Sequence, residues 1–452
     1  MSERSIADLV SRTPATRDRY VDLLRVLALG LVMLGHFLMA GVVRGPDDSL
    51  VVFNSLVHLP RAQVLTWLFQ VMPVFFVVGG FSHARTWRSV TRRGGGYADF
   101  AQIRAQRLLE PTLAFVTVGV IVGLLLEMSG TPSSDVSYVL RIVGQPLWFV
   151  GIYLIVMSMA PWMLRMHERF GVAVIVVLVV SVAIVDVARL GLDVPLVGYL
   201  NFVTVWLAIH QVGFFYADGR LGSRRLVWSM FLGGLVVAIT LVALGPYPLS
   251  MVSLPGERVS NLAPPSFVVL ALAAFQVGLV MLLRPAGTRF AGRTHVWLLV
   301  VAANSMIMTA FLWHFTAIVL ANGIVVRAGL PTPLPGTWQW WLSRLPLLLL
   351  VAVLLAGLVA LFRRYEAPRD WAVPDRSARR PHRDGMAAVA VSIALLGVLG
   401  FSVTGFDGVS RLLTHTLVVI PMTPLANLLL LWFGFWWVGW AARSVRRGAG
   451  VS

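Results

Sequence analysis

The sequence of 452 residues contains no cysteine and no lysine, and only 13% of its residues are charged. The absence of cysteine excludes a thiol nucleophile, a cysteine metal site and a disulfide framework. A soluble domain is about one quarter charged and about half apolar, whereas 58% of this sequence is hydrophobic. That much apolar surface does not fit inside one water-soluble core. The excess must therefore face lipid.

Long apolar runs decide between the two kinds of membrane fold. In lipid every backbone N–H and C=O must be paired within the chain, so only helices and closed barrels cross a bilayer. The runs here are about 18–25 residues long, as helices require, and lack the short alternating pattern of barrel strands. The sequence predicts an all-α polytopic transmembrane bundle with about twelve helices, at 21–43, 62–82, 107–128, 147–164, 171–190, 197–216, 226–244, 264–283, 297–326, 345–362, 387–404 and 422–441.

The net charge of +17 is carried by arginine and is distributed unevenly among the loops. Alternate loops are rich in arginine, and the loops between them are rich in Pro, Gly and Ser. By the positive-inside rule the basic loops are cytoplasmic, which predicts a multi-pass cell-membrane protein with both termini in the cytoplasm. Because this rule accounts for the basic charge, we expect no nucleic-acid partner.

The most polar stretch inside the chain is Arg363–Asp384, which separates a ten-helix body from a final pair of helices. The predicted organisation is a cytoplasmic N-terminal segment 1–20, a membrane domain 21–368, a basic cytoplasmic linker 369–386, an additional helix pair 387–441 and a cytoplasmic tail 442–452.

Ionisable residues share one face of the first predicted helix. Arg25 and His36 are eleven positions apart, which is three helical turns and roughly 16 Å along the axis. Asp22, one turn before Arg25, is spaced to pair with it. Since ionisable groups at membrane depth are costly and commonly functional, we expect Arg25 near the cytoplasmic surface and His36 near mid-membrane. The alternative is that Arg25 reaches the interface and His36 only packs.

The next polar groups flank the second and third predicted helices. Gly79 and Gly80 permit close helix approach or a bend. Arg104 and Arg107 are three positions apart, so they lie on one helix face, where two guanidiniums suit an anionic ligand such as a phosphate. The alternative is ordinary positive-inside charge, with Glu110 neutralising Arg107.

Other histidines differ in their depth. His210 and His314 lie within apolar spans, whereas four histidines at loops or loop edges are expected to be solvated: His58, His167, His295 and His382. No pair has the spacing of a zinc motif, so no metal is expected. Trp148 is interpreted as an aromatic residue at the membrane interface.

Taken in order, these segments resemble the acyltransferase-3 family of membrane O-acyltransferases over about residues 18–368. The first helix of that family carries Arg or Lys, ten residues and then His, which Arg25 and His36 match. The segment Phe75–Phe81 is similar to the family's Phe-Phe-x-x-Ser-Gly-Phe but lacks the serine. The remaining matching segments are Asp22–Ala28, Leu34–Phe37, Arg104 and Arg107 with Pro111, Leu147–Phe149, Leu312–His314 and Tyr365–Pro368.

The resemblance implies transfer of an acyl group, typically from a cytoplasmic acyl-CoA, to a hydroxyl of a carbohydrate, glycolipid or other envelope acceptor. Attack by an alcohol needs a base, and neutral imidazole is the usual one, so His36 is the predicted general base. Arg25 either orients the donor or stabilises the oxyanion, and Arg104 and Arg107 are predicted to bind donor phosphates.

Four further residues are candidates for acceptor contact or for a structural role: His314, His210, Asp22 and Trp148. The chemistry requires no cofactor besides the acyl-CoA co-substrate, and the expected partners are that donor, a carbohydrate or lipid-linked acceptor and membrane lipid. The alternative hypothesis is a twelve-helix secondary transporter, which should show two related halves. A third is a non-catalytic membrane scaffold.

Overall fold

A computed structural model of the chain describes residues 17–44, 50–129, 133–366, 381–410 and 412–443. Within these ranges, twelve helical stretches are long and apolar enough to cross a membrane. The predicted all-α polytopic bundle of about twelve transmembrane helices is therefore confirmed. Parts of the predicted terminal segments and most of the predicted linker 369–386 lie outside the described residues.

Sixteen α-helices occur within the described ranges. They are α1 (Arg19–Met39), α2 (Ser55–His58), α3 (Thr66–Phe69), α4 (Met72–Arg92), α5 (Tyr97–Met128), α6 (Ser133–Gly144), α7 (Pro146–Phe170), α8 (Val172–Asp186), α9 (Asn201–Ala217), α10 (Arg224–Leu244), α11 (Phe267–Gly292), α12 (Thr294–Asn304), α13 (Ile307–Arg327), α14 (Trp338–Phe362), α15 (Pro381–Thr404) and α16 (Pro424–Arg443).

Short non-α elements connect several of these helices. Strands β1 (Ala40–Arg44) and β2 (Leu50–Asn54) form one antiparallel hairpin, and β3 (His415–Leu417) and β4 (Ile420–Met422) form another. The remaining pieces are short 3₁₀ or π helices, at Pro60–Leu65, Val187–Gly191, Val197–Leu200 and Arg363–Tyr365.

One predicted span is two helices. The apolar run 297–326 predicts one continuous helix, but α12 ends at Asn304 and α13 begins at Ile307. The side chain of Asn304 donates to the carbonyl of Val300 at 2.9 Å, and the Ser305 hydroxyl donates to Ala302 at 2.7 Å. These bonds satisfy carbonyls at the end of a helix and compete with its continuation. The apolar pattern alone contains no sign of this break.

Two helices extend further into polar sequence than predicted. Helix α4 continues ten residues beyond the expected end at residue 82, to Arg92, and α5 begins at Tyr97 rather than at 107. Arginine is a good helix former, and no Gly or Pro interrupts the chain between Ser82 and Arg92. The turn comes at Gly94, whose φ of +78° suits glycine. Arg104 therefore lies inside α5 rather than at its start.

The described chain forms two compact units, each built from several segments. Unit 1 contains the described residues of Met1–Ser82, Met163–Ile307 and Leu320–Ala352, and unit 2 contains those of His83–Trp162, Met308–Val319 and Val353–Ser452.

In unit 1, close packing of α10 on α11 depends on glycine. A Cβ at Gly278 would lie 2.4 Å from the backbone nitrogen of Phe231, and one at Gly234 would lie 2.4 Å from that of Phe275. Helix α1 packs on α11 and α12, where Tyr20 and Trp297 form part of one apolar cluster. Small residues that let backbones approach are the usual means of packing helices in lipid.

In unit 2, the last two helices pack on each other and on α5. The Asp384 carboxylate of α15 accepts the Ala98 N–H at the start of α5, at 2.9 Å. At the other end of α5, Glu127 accepts the backbone N–H groups of Val409 and Ser410, at 3.0 and 2.9 Å. The helix pair is therefore tied to both ends of α5.

Candidate active site

A buried carboxylate orients arginine in unit 1. Asp22, in the first turn of α1, is only 5% exposed. One of its oxygens accepts from Arg17 Nε at 2.5 Å and the other from Arg25 Nη1 at 3.2 Å, while Arg25 Nη2 donates to the Ser82 hydroxyl at 2.8 Å. The structure therefore contains the Asp22–Arg25 pair that the sequence spacing indicates. The Arg25 guanidinium is held by partners on both α1 and α4.

Ser82 was not predicted from the sequence. The family pattern has a serine before the Gly-Phe pair, where this chain has Gly79, and Ser82 lies one helical turn further along α4. Gly80 meets α9 closely, because a Cβ there would lie 2.1 Å from the His210 carbonyl oxygen. The predicted close helix approach is thus present at Gly80. It fixes the path of α4 just before Ser82.

The two unit 1 histidines predicted as candidates differ in their surroundings. His36 is half-buried and lies in the last turn of α1, since the chain turns into β1 at Ala40. His36 therefore lies near the end of α1 opposite Arg25, and its expected depth near mid-membrane stays a prediction. His210 is completely buried in α9, with its ring 4.9 Å edge-on from Phe214.

In unit 2 a second buried carboxylate lies at a helix start. Glu366 accepts the N–H groups of Met308 and Thr309, at 2.9 and 2.7 Å, and the Thr309 hydroxyl at 2.7 Å. It therefore caps α13. Burial raises the pKa of Glu366, although these hydrogen bonds and the nearby positive charge of Arg107 oppose that rise. From the sequence, only Glu110 was predicted to act on Arg107. The sequence feature that points to Glu366 is the family-like segment Tyr365–Pro368, which contains it.

The other unit 2 candidates lie on three helices. Arg104, in α5, donates to the Thr86 hydroxyl of α4. His314 is buried in α13, and its Nδ1 donates to the Phe311 carbonyl of the same helix. Trp148, in the first turn of α7, is half-buried beside Phe149.

One expectation about solvated histidines is wrong. His167 is 2% exposed; its Nε2 lies 2.9 Å from Asp218 Oδ2, and its Nδ1 lies 3.0 Å from Gln211 Nε2. The end of α9 covers this side of α7, which no local pattern near His167 indicates. The three other histidines of that group are exposed, as expected: His58, His295 and His382.

The candidates thus form two sets. Unit 1 holds Asp22, Arg25, His36 and His210, and unit 2 holds Arg104, Arg107, His314 and Trp148. Among the described residues, no group of three or more His, Asp or Glu side chains could hold a metal ion.

Comparison with known proteins gives one match. A family model described as an acyltransferase domain matches residues 18–362. The match includes every candidate residue of both sets and ends before α15, so the last two helices lie beyond it. Searches of curated proteins and of solved structures gave no match.

Proposed function

This chain belongs to the acyltransferase-3 family of membrane O-acyltransferases, and from that premise we propose that it transfers an acyl group from a cytoplasmic acyl-CoA to a hydroxyl of a carbohydrate or lipid-linked acceptor of the cell envelope. The observation on which the proposal rests is the pair of ionisable side chains on α1, Arg25 and His36. A guanidinium oriented by Asp22 and Ser82 lies toward one end of this helix, and an imidazole lies in the last turn at the other.

In the proposed reaction His36 removes the proton from the acceptor hydroxyl as its oxygen attacks the thioester carbonyl carbon. The C–S bond then breaks, and the CoA sulfur leaves with the proton that His36 accepted. A general base of this kind contributes about 10²- to 10⁴-fold in rate. The reaction yields an ester and free CoA without a metal or another cofactor.

Arg25 is proposed to bind a negative group of the donor and so orient it. Two of its nitrogens are already bonded to Asp22 and Ser82, which holds the guanidinium plane in place before substrate arrives. A preorganised guanidinium of this type binds a phosphate. Because Arg25 and His36 lie about three helical turns apart on α1, we assign Arg25 to orientation of the donor and not to the oxyanion at the reacting carbonyl.

Arg104 and Arg107 are the proposed contacts of the CoA phosphates. They lie on one face of α5, near the side of the membrane that the positive-inside rule assigns to the cytoplasm. The same rule supports the proposed cell-membrane topology with both termini in the cytoplasm. Because CoA is strongly anionic and cytoplasmic, donor binding on this side requires no transport step.

The test is acyl turnover by the purified full-length protein in nanodiscs, using radiolabelled acetyl-CoA and a panel of envelope saccharides and glycolipids. His36→Ala should reduce turnover about 100-fold or more while binding CoA as wild type does in calorimetry. Arg107→Gln should raise the KM for acetyl-CoA. The matched control is His295→Ala, because His295 is exposed at the start of α12.

Wild-type turnover in His36→Ala would disprove the role of the base. A protein that moves solute across vesicles and turns over no acyl-CoA would be the twelve-helix transporter instead. A protein that neither moves solute nor turns over acyl-CoA would be the scaffold. In that case, replacing both His36 and Arg107 would leave the envelope esters unchanged.

A further inference from the structure

Arg344 lies in α14, a helix long and apolar enough to cross the membrane. Its Nη1 donates to the Ala40 carbonyl at 3.2 Å, and its guanidinium carbon lies 4.5 Å from the Trp340 ring centre and 5.8 Å from that of Phe37. Phe37 follows His36 in the sequence, and Ala40 lies one helical turn beyond His36. A charged group thus lies next to the helix end that carries the proposed base.

This arginine differs from Arg25 in having no carboxylate within ion-pair distance among the described residues. The Nε of Arg344 is buried and has no hydrogen-bond partner among the described residues. The same is true of the indole Nε1 of Trp340, which is 1% exposed. A buried donor without an acceptor is destabilising, and a charge in a membrane-crossing helix commonly marks a functional site. Two such donors are stacked against each other here.

The chemistry of the missing ligand follows from those donors. Both groups donate and neither accepts, so the complementary ligand supplies oxygen acceptors. The guanidinium adds positive charge and a planar fork that matches phosphate and carboxylate. The aromatic rings of Trp340 and Phe37 limit water beside it, which strengthens a charge-assisted bond.

We propose that Arg344 and Trp340 bind an oxyanion, a phosphate or a carboxylate, on the acyl acceptor, and thereby place the acceptor hydroxyl at His36. This inference rests on the proposed function and narrows it. The acceptor is an anionic molecule, such as a phosphate-linked saccharide or an acidic sugar, rather than a neutral glycolipid. Arg344 is then the residue that distinguishes acceptors with a negative group from neutral ones.

The experiment uses full-length protein in nanodiscs of neutral phosphatidylcholine, with glucose 1-phosphate as the anionic probe and glucose as the neutral one. Wild type should bind glucose 1-phosphate in calorimetry and bind glucose far more weakly. Arg344→Gln should weaken binding of the anionic probe about ten- to hundredfold. Arg344→Lys should retain part of the affinity, because it keeps the charge but loses the fork, and Trp340→Phe should weaken binding several-fold.

Matched controls come from the same unit. Arg327→Gln removes an exposed arginine, and Trp341→Phe alters the neighbouring tryptophan, which is 53% exposed. Both should bind the anionic probe as wild type does. Equal binding of both probes by wild type, or unchanged affinity in Arg344→Gln, would overturn the inference. So would loss of probe binding in nanodiscs with one fifth phosphatidylglycerol, since that result would make a lipid headgroup the occupant.

The same samples separate this inference from the proposed function. Arg344→Gln should bind CoA normally, and His36→Ala should bind glucose 1-phosphate normally. If His36→Ala keeps its acyl turnover, the proposed function fails whatever Arg344 binds. If Arg344→Gln binds the probe as wild type does while His36→Ala is inactive, only the acceptor site fails.

Discussion

Two buried carboxylates, one in each unit, are held by different kinds of partner. Asp22 in unit 1 is bonded to two guanidiniums, those of Arg17 and Arg25. Glu366 in unit 2 is bonded to two backbone N–H groups and a hydroxyl at the start of α13. Their exposures are nearly equal, at 5% and 7%. The difference therefore lies in the charge of the partners and not in burial.

The comparison shows what each carboxylate orients. Asp22 fixes a charged side chain, so its loss should affect Arg25 and the chemistry assigned to it. Glu366 fixes the first turn of α13, five residues before His314. Its loss should therefore affect the stability of the fold more than the binding of acyl-CoA. A carboxylate whose hydrogen-bond partners are all neutral bears much of its own desolvation cost. This agrees with the raised pKa of Glu366, although the nearby positive charge of Arg107 opposes the rise.

The largest expected effect comes from Asp22→Asn. Removing the carboxylate leaves two guanidiniums without their counter-charge, which for a buried pair costs about 3–5 kcal/mol. Because Arg17 and Arg25 are 42% and 25% exposed, we expect about 2–3 kcal/mol in the free energy of unfolding. Acyl turnover should fall about tenfold or more, since Arg25 loses its orientation. Thermal unfolding and radiolabelled turnover measure the two effects.

Asp193→Asn is the matched control, because Asp193 is an exposed aspartate of unit 1. It should leave both measurements unchanged. Full activity in Asp22→Asn would show that Asp22 only stabilises the helix start, and the contrast with Glu366 would disappear.

A smaller effect, with a distinctive pH dependence, is expected for Glu366→Gln. The folded protein holds the Glu366 proton more tightly than the unfolded chain does, because burial raises the pKa. The contribution of this group to stability is therefore complete below the unfolded pKa, about 4.3, and is lost as the pH rises through the folded pKa. The stability of the variant should not decline in this way as the pH rises. At low pH its free energy of unfolding should be about 1–2 kcal/mol lower than that of wild type, because one backbone N–H donor faces the amide NH₂ of the glutamine.

The measurement is the thermal midpoint of wild type and variant between pH 4 and pH 8. Glu168→Gln, at an exposed glutamate of unit 1, should retain the wild-type slope. An unchanged slope in Glu366→Gln would mean that another group produces the decline.

The smallest effects are expected for two variants that each remove one hydroxyl, one beside Asp22 and Arg25 in unit 1 and one beside Glu366 in unit 2. Ser82→Ala removes the bond from Arg25 Nη2, and Thr309→Val removes a bond to Glu366 while preserving shape. Each should cost about 1 kcal/mol. Only Ser82→Ala should raise the KM for acyl-CoA, about two- to fivefold, because only Ser82 touches an arginine assigned to the donor. Equal changes in KM for both variants would contradict the division of roles.

The sequence was sufficient wherever a local pattern determines the structure. Apolar runs of membrane length predicted twelve spans, and the three-residue spacing of Asp22 and Arg25 predicted their pair. It was insufficient wherever distant segments decide. Arg344 meets Ala40 across 304 positions, and His167 is buried by α9.

Single polar residues within apolar runs were the other source of error. Asn304 and Ser305 end a helix inside a stretch that reads as continuous, because their side chains bond to carbonyls of the preceding turn. An average over a window of residues does not register such a bond. The missing serine of the family pattern is a related case, since Ser82 lies one turn away from the position that the pattern specifies.

The bond between Asp384 and Ala98 joins residues 286 positions apart, and this has a consequence for how the protein is made. At about 5–20 residues per second, the ribosome adds Asp384 about 15–60 s after the first turn of α5. That turn is synthesised long before the carboxylate that caps it exists. A gene shortened to residue 362, where the family match ends, would yield a chain in which this cap never arrives.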